Sequence, residues 1–199
     1  MSLFPKDIKS FSDEVLMQML STRRCNEALT ELHARYGKKV LGFFIRMFQG
    51  DGDKAQDFVQ ELFIRIMEKH HQFNPEKKFY TWMFTIASNM CKTNFRKPNH
   101  QSLSVDNYQL NNSAHLNENC FDKVVFRKAL KKAVANLEQH HRLTFVLRYM
   151  EELSIKEISE ITETSEGTVK SRLFYATKKV AKCLEEFNPV NDGTLFKMN

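Results

Sequence analysis

Between Ser165 and Lys182 the chain carries five basic side chains, Lys170, Arg172, Lys178, Lys179 and Lys182, against one acid, Glu166. Small hydroxyls, Thr168 and Ser171, lie among them. Such a set reads nucleic acid: cations neutralise phosphates, and cations with hydroxyls hydrogen-bond base edges. A second group runs from Lys77 to Lys97. Lys77, Lys78, Lys92, Arg96 and Lys97 occur there without an acid, and Phe79, Tyr80 and Trp82 are interleaved. Aromatic rings stack on unpaired bases while cations track the backbone, so this group suits a single strand. Phe79 and Trp82 fit an apolar helical stripe; Tyr80 falls off it and is the better stacking residue. Asn89, Lys92, Thr93 and Arg96 share a polar face at helical spacing. A third group, Asp57, Gln60, Glu61 and Arg65, puts polar tips beside an apolar stripe, which by pattern alone is a solvated helix face.

Other chemistries lack their residues. The four cysteines, Cys25, Cys91, Cys120 and Cys183, form no CxxC pair and read as reduced thiols. His70–His71 and His140–His141 are adjacent, and helix neighbours point about 100° apart, unlike an i, i+4 metal pair. The stretch GDGD at 50–53 lacks the later ligands of a calcium loop. No Gly-rich phosphate loop occurs, and no HxE with CxxC marks a nucleic-acid deaminase. No catalytic residue, cofactor, metal or small-molecule substrate is expected. The formal charge of +6 favours an anionic partner. No apolar run approaches the roughly 20 residues of a membrane helix, and the N-terminus lacks the order of a signal peptide, so a cytoplasmic protein is expected.

Helices must position these groups. Only four prolines and six glycines interrupt the chain. Ser12 reads as an N-cap with Asp13 and Glu14 in the first turn. A long helical pattern from Leu29 to Met47 ends near Gly50. Asp53 with Gln56 resembles a capping box for the next helix, whose apolar face is Phe58, Val59, Leu62, Phe63, Ile66 and Met67. A further helix carries Phe79, Trp82, Met83, Ile86 and Met90 and stops before Pro98. Residues 98–120 hold six asparagines and no Lys or Arg, without sustained period. They read as a flexible linker whose extended reach is roughly 75 Å. Pattern resumes at Phe121 for four helices, and a tail runs from 187 to 199. The expected fold is all-α: a helical domain over 1–97, the linker, and a four-helix domain over 121–186.

In that second domain Ser154 and Glu157 form an S-x-x-E box for a short helix. After a tight turn comes the basic helix, with Val169, Leu173, Ala176 and Val180 as its buried stripe. This is the helix-turn-helix arrangement, whose second helix enters the major groove. The candidate duplex contacts are Ser154, Lys156, Thr168, Lys170, Ser171, Arg172, Phe174, Tyr175 and Lys178. Lys170 and Ser171 are placed for base edges and Lys178 for phosphate, while Arg172 lies next to the stripe.

The stretch LSIKEISEITETSEGTVKSRLFYATKKV resembles the promoter-reading helix-turn-helix of extracytoplasmic-function (ECF) sigma factors of bacterial RNA polymerase, GTVKSRL most specifically. SDEVLMQML and ALTELHARYGKKVLGFF resemble the family's opening helices. DFVQELFIRIMEKHHQF resembles its polymerase-docking helix, and FYTWMFTIASNMCKTNFRK the helix that reads the downstream promoter element. The resemblance implies core RNA polymerase, promoter DNA and an anti-sigma factor as partners. It turns the face of Asp57, Gln60, Glu61 and Arg65 into a surface for the clamp coiled coil of the largest polymerase subunit. It gives Lys77, Lys78, Tyr80, Trp82, Asn89, Lys92, Thr93, Arg96 and Lys97, with the 70–80 loop, to the separated strand. The linker's reach matches about two turns of duplex at roughly 34 Å each. Three positions depart from the family: Glu163 stands where a small Gly is usual in the turn, Thr93 where Asp is frequent, and Ser88 where Arg is. A positive φ at Glu163 would cost what glycine avoids. A ligand-sensing helix-turn-helix regulator would need a pocket or phosphoacceptor in 1–97, and neither signature is present.

Overall fold

The computed structural model describes residues 7–22, 24–96 and 118–187, and every regular element among them is helical. Helix α1 spans Asp13–Met19, α2 Cys25–Met47, α3 Gly52–Lys69 and α4 Phe79–Arg96. The second half holds α5 Glu118–Ala135, α6 Gln139–Tyr149, α7 Ile155–Thr162 and α8 Glu166–Cys183. The linker reading over 98–120 and the tail after 187 lie largely outside the described residues. Helix α5 begins at Glu118, inside the span read as linker.

Local chemistry sets the helix ends. Ser12 caps α1 by accepting from the Val15 N–H at 3.4 Å. Helix α2 stops where Gln49 and Gly50 take positive φ, and the Gly50 N–H reaches back to the Ile45 carbonyl at 2.8 Å. Gly50, at φ +104°, is where the chain needs a residue without a Cβ. The cap of α3 is Asp51, not Asp53: its carboxylate accepts from the Lys54 N–H at 3.0 Å. Asp51 keeps the extended backbone of a cap, while Asp53 lies inside the first turn and favours the helix dipole instead.

Phe43, Phe44, Met47, Leu62, Ile66, Met83 and Phe84 fill the core of the first half. Val146, Leu147, Ile158, Ile161, Val169 and Ala176 fill that of the second. Met67, expected on the apolar face of α3, is instead 43% exposed, because it lies at the edge of the arc that α2 and α4 cover.

The two halves meet along a seam where α4 lies on α7, and α2 on α5 and α6. Arg142, buried at the start of α6, pins that seam. Its guanidinium donates to the carbonyls of Met47 at 2.7 Å, Ala135 at 2.6 Å, Leu137 at 2.8 Å and Val134 at 3.3 Å. One cation thereby serves the negative ends of α2 and α5, one helix from each half. The Gln49 side chain adds a bond to the Ala135 carbonyl at 3.1 Å.

Candidate nucleic-acid interface

Helices α7 and α8 are joined by a turn whose geometry is fixed by side-chain hydroxyls. At the start of α7 the Ser154 hydroxyl accepts from the Glu157 N–H at 3.2 Å, and the Glu157 carboxylate accepts from the Ser154 N–H at 2.9 Å. Glu163 leaves the helix in the left-handed region, φ 56° and ψ 44°. The Thr164 N–H returns to the Ser159 carbonyl at 3.1 Å, and the Ser159 hydroxyl donates to the Thr164 carbonyl at 2.6 Å. Thr162 and Thr164 join hydroxyls at 2.9 Å. These bonds offset the cost of a Cβ at positive φ. Ser165 then caps α8, accepting from the Thr168 N–H at 3.2 Å.

Helix α8 buries Val169, Leu173, Ala176 and Val180, the stripe read from spacing. Lys170, Ser171 and Lys178 are exposed, and Phe174 and Tyr175 project at 61% and 60% exposure. Lys156 is exposed on the first turn of α7. Thr168 and Arg172 are half-buried, and the Ser154 hydroxyl is committed to its cap. The outward face therefore offers cations and aromatic rings on a rigid helix of 18 residues.

Helix α4 begins with its Phe79 N–H donating to the Glu14 carboxylate of α1 at 3.3 Å. Phe79 is buried; Trp82 is half-buried against Phe73, ring centroids 5.3 Å apart. Lys77, Thr93 and Arg96 are exposed, and Lys97 lies outside the described residues. The remaining strand-facing candidates turn toward the second half. Lys78 pairs with Glu157 at 3.2 Å. Lys92 donates to the Asn89 side chain and to the Thr162 carbonyl, both at 3.1 Å. The Tyr80 hydroxyl donates to the Glu151 carboxylate at 3.2 Å and lies 3.3 Å from the Glu151 carbonyl. Its ring packs on Phe84, with the Lys39 ammonium 4.8 Å from the ring centroid. Tyr80, expected off the core stripe of α4, instead continues the buried row of Phe84, Ala87 and Cys91 at helical spacing, and its hydroxyl end points at the seam rather than at solvent.

The electrostatics of the seam follow from burial. Burial pushes the Glu151 carboxyl above its ordinary range, against the pull of Arg46, 3.4 Å away, and Lys39. Burial, then Glu151, likewise raises the Tyr80 hydroxyl. Burial lowers the Lys92 ammonium; Glu163 opposes this, and Arg172 and Arg96 add to it.

Residues 32–100 match Sigma-70 region 2, and residues 127–180 match Sigma-70, region 4. The chain belongs to the ECF sigma factors. It is 29% identical over 182 residues to the ECF RNA polymerase sigma-E factor of Haemophilus influenzae, covering 86% of this chain and 95% of that one. It is 27% identical over 183 residues to the RNA polymerase sigma-H factor of Pseudomonas aeruginosa, covering 87% and 94%. Among the solved structures that share its fold are two complexes. One is CnrH in complex with the cytosolic domain of CnrY, 21% identical, covering 87% of this chain and 97% of that one, TM-score 0.63. The other is the sigma factor RpoE with the anti-sigma factor NepR from Bartonella quintana, 22% identical, covering 78% and 96%, TM-score 0.62. A sigma factor of this family acts in promoter-specific transcription initiation with RNA polymerase.

On this sigma factor the region-2 match contains α3 and α4, and the region-4 match contains α7 and most of α8. The exposed face of α3 carries Asp57, Gln60 and Glu61, with Arg65 bonded to Glu61 at 2.7 Å. Ile64, 47% exposed, and Met67 stand among them. Sequence reading missed Ile64, although an apolar residue three positions from Glu61 on a polar face was a signal for a covered surface. It also missed Glu151 and Arg142, whose roles depend on contacts between distant segments. Ser88, one departure from the family, is fully buried and its hydroxyl has no partner.

His140 and His141 correct the argument from side-chain direction. Their rings approach to 4.1 Å between centroids, and with Glu138 they bring three ligand atoms within 4.8 Å. Glu138 precedes the helix, so helical angles do not separate it from them. The group stands at the positive end of α6, and Arg172 and Lys179 act on His141, which disfavours a cation there. Among the described residues no helix is long and apolar enough to cross a membrane.

Proposed function

We propose that this sigma factor reads the upstream promoter element as duplex through α8 and captures the melted downstream strand on α4. Core RNA polymerase docks on the exposed face of α3. The single observation that carries the reading is α8: a capped helix whose buried stripe leaves Lys170, Ser171 and Lys178 exposed on its outer face. A groove-inserted helix needs that division between packing and contact. Lys170 and Ser171, in the second turn, serve base edges, while Lys178, two turns on, serves phosphate. Polymerase performs the chemistry of RNA synthesis, and this chain contributes specificity. An anti-sigma factor is the further partner that the family resemblance implies.

The test is titration of holoenzyme against promoter libraries at several salt concentrations. Lys178→Ala weakens all sequences alike and lowers the salt slope by about one unit. Lys170→Ala costs about 1–3 kcal/mol at the favoured element and much less elsewhere. Equal loss on all sequences from Lys170→Ala would move that residue to phosphate contact. No loss from either change would remove groove reading from α8.

A further inference from the structure

The ends of α2 and α5 converge on Arg142, which bonds the carbonyls of Met47 and Ala135, and the packing beside that point is incomplete. A hollow of about 270 Å³ remains there. Ile45 and Gly50 of the first half and Leu130, Val134 and Met150 of the second form its walls. Gly50 is buried, yet a Cβ added to it would meet nothing within 4 Å, so the space beside it is unfilled. The charged lining is Arg46, Arg127 and Lys131, and no acid is among the described residues that line the hollow. Arg127 and Lys131 are exposed, one helical turn apart on α5, and mark the mouth. Arg46 is half-buried and holds the Glu151 carboxylate at 3.4 Å. Three cations against that one acid still leave an excess of two positive charges.

Apolar walls hold water poorly, because a buried water needs about two to four polar partners. The one neutral polar side chain among the described lining residues is Gln49, and its amide already donates to the Ala135 carbonyl at 3.1 Å. Water so weakly held is displaced with gain by an apolar group. A hollow that sheds water inside and gathers cations at its mouth fits an aliphatic chain ending in an anion. A nucleotide is the poorer fit, since no aromatic ring among the described lining residues offers a face on which to stack a base. At roughly 30 Å³ for each water-sized group, the hollow takes about nine such groups. We infer that it is a ligand site for a medium-chain fatty acid of about nine chain carbons and a carboxylate. The chain lies along Leu130 and Val134, and the carboxylate meets the Arg127 guanidinium beside Lys131. A guanidinium fork matches the two oxygens of a carboxylate, and its charge makes the bond a strong one.

The experiment titrates the full-length chain with hexanoate, octanoate, decanoate, dodecanoate and tetradecanoate, each below its micelle concentration, by ligand-observed NMR. From hexanoate to decanoate each added methylene should tighten binding about fourfold, the equivalent of about 0.8 kcal/mol. Past decanoate the gain should cease, because the hollow is full. Octanol, with the same chain length and no charge, should bind about tenfold more weakly than octanoate, and Arg127→Glu should weaken decanoate by about the same factor. Lys132→Glu makes the same charge change on an exposed residue of α5 outside the hollow; it is the control and should weaken decanoate far less. Leu130→Trp fills the hollow and should abolish binding, with circular dichroism checking the fold. Octanol binding as tightly as octanoate, or Arg127→Glu matching the control, would overturn the anionic head. Affinity that still climbs at tetradecanoate and survives in a folded Leu130→Trp would put the chain on another surface and overturn the site. Failure of decanoate to bind at any soluble concentration would overturn it as well.

Discussion

Replacing Arg142 by methionine tests whether one cation holds the junction of the two halves. Methionine fills similar length and takes none of the acceptors. The guanidinium makes four hydrogen bonds to carbonyls, at 2.6 to 3.3 Å, and no carboxylate is among its partners. A bond to a charged group contributes about 1.5–3 kcal/mol. Against that stands the cost of burying the ion, several kcal/mol after relaxation. Truncation leaves the Met47 and Leu137 carbonyls short of a donor, while Ala135 keeps Gln49 and Val134 keeps the Leu137 N–H, so at about 1–3 kcal/mol for each orphaned group the expected loss is about 2–5 kcal/mol. In a protein of ordinary stability, about 5–15 kcal/mol, that is a large share. Arg142→Lys should fall between, since an ammonium offers three N–H bonds from one point and cannot span the fork. Urea unfolding followed by circular dichroism measures both, with the slope compared against the unaltered chain. A loss below about 1 kcal/mol for Arg142→Met would mean that the carbonyls find other donors, and the pin would be refuted.

Three further expectations follow from the same geometry. Glu61→Lys reverses a charge on the exposed face of α3, breaks the pair with Arg65, and should weaken capture of core polymerase; a folded variant binding as tightly as the original would move the docking face elsewhere. Ser88→Ala removes a buried hydroxyl without a partner and should leave stability equal or raised by about 1 kcal/mol; a clear loss in urea midpoint would show that the hydroxyl is satisfied after all. The Glu157 carboxyl is held below its ordinary value of 4.5, chiefly by the Ser154 N–H and then by the Ser154 hydroxyl. A depressed folded value contributes stability above the unfolded value and loses it as pH falls through the folded one. Ser154→Ala should therefore cost about 1 kcal/mol at pH 7 and less below pH 4, read from urea midpoints at both. An equal cost at both would detach the cap from the carboxylate.

Periodicity made α8 legible. Val169, Leu173, Ala176 and Val180 are each buried as their spacing required, because a helix packed on one side states its own face. The Ser154–Glu157 box was legible because both partners lie within one turn. The cap of α3 was misplaced by two residues, since Asp51 and Asp53 both suit a helix start and only backbone angles separate them. Glu163 was legible as a strained position, but the Ser159, Thr162 and Thr164 hydroxyls that accommodate it needed three dimensions. What sequence could not supply was the seam. Arg142 and Met47 stand 95 positions apart, and Tyr80 and Glu151 stand 71 apart. Nothing in local spacing marks such a pair. Hence Lys92 and Tyr80, expected to face a separated strand, are bonded to the second half, while Thr93 and Arg96 of the same face stay exposed.

The brevity of α7 has a consequence for how such chains can be recombined. Eight residues do not sustain a helix unaided, so this one exists through its cap and what it packs on. On one side that is α8, and on the other it is α4, which belongs to the opposite half. A hybrid joining the first half of this chain to the second half of a relative would inherit both sets of contact residues intact. It would not inherit the match of Lys78 to Glu157 or of Tyr80 to Glu151 unless the donor carried the same acids. Such parts are interchangeable in sequence and not in fit: the hybrid would hold α7 less firmly against α4, and that helix would exchange its amide hydrogens sooner than the parent's.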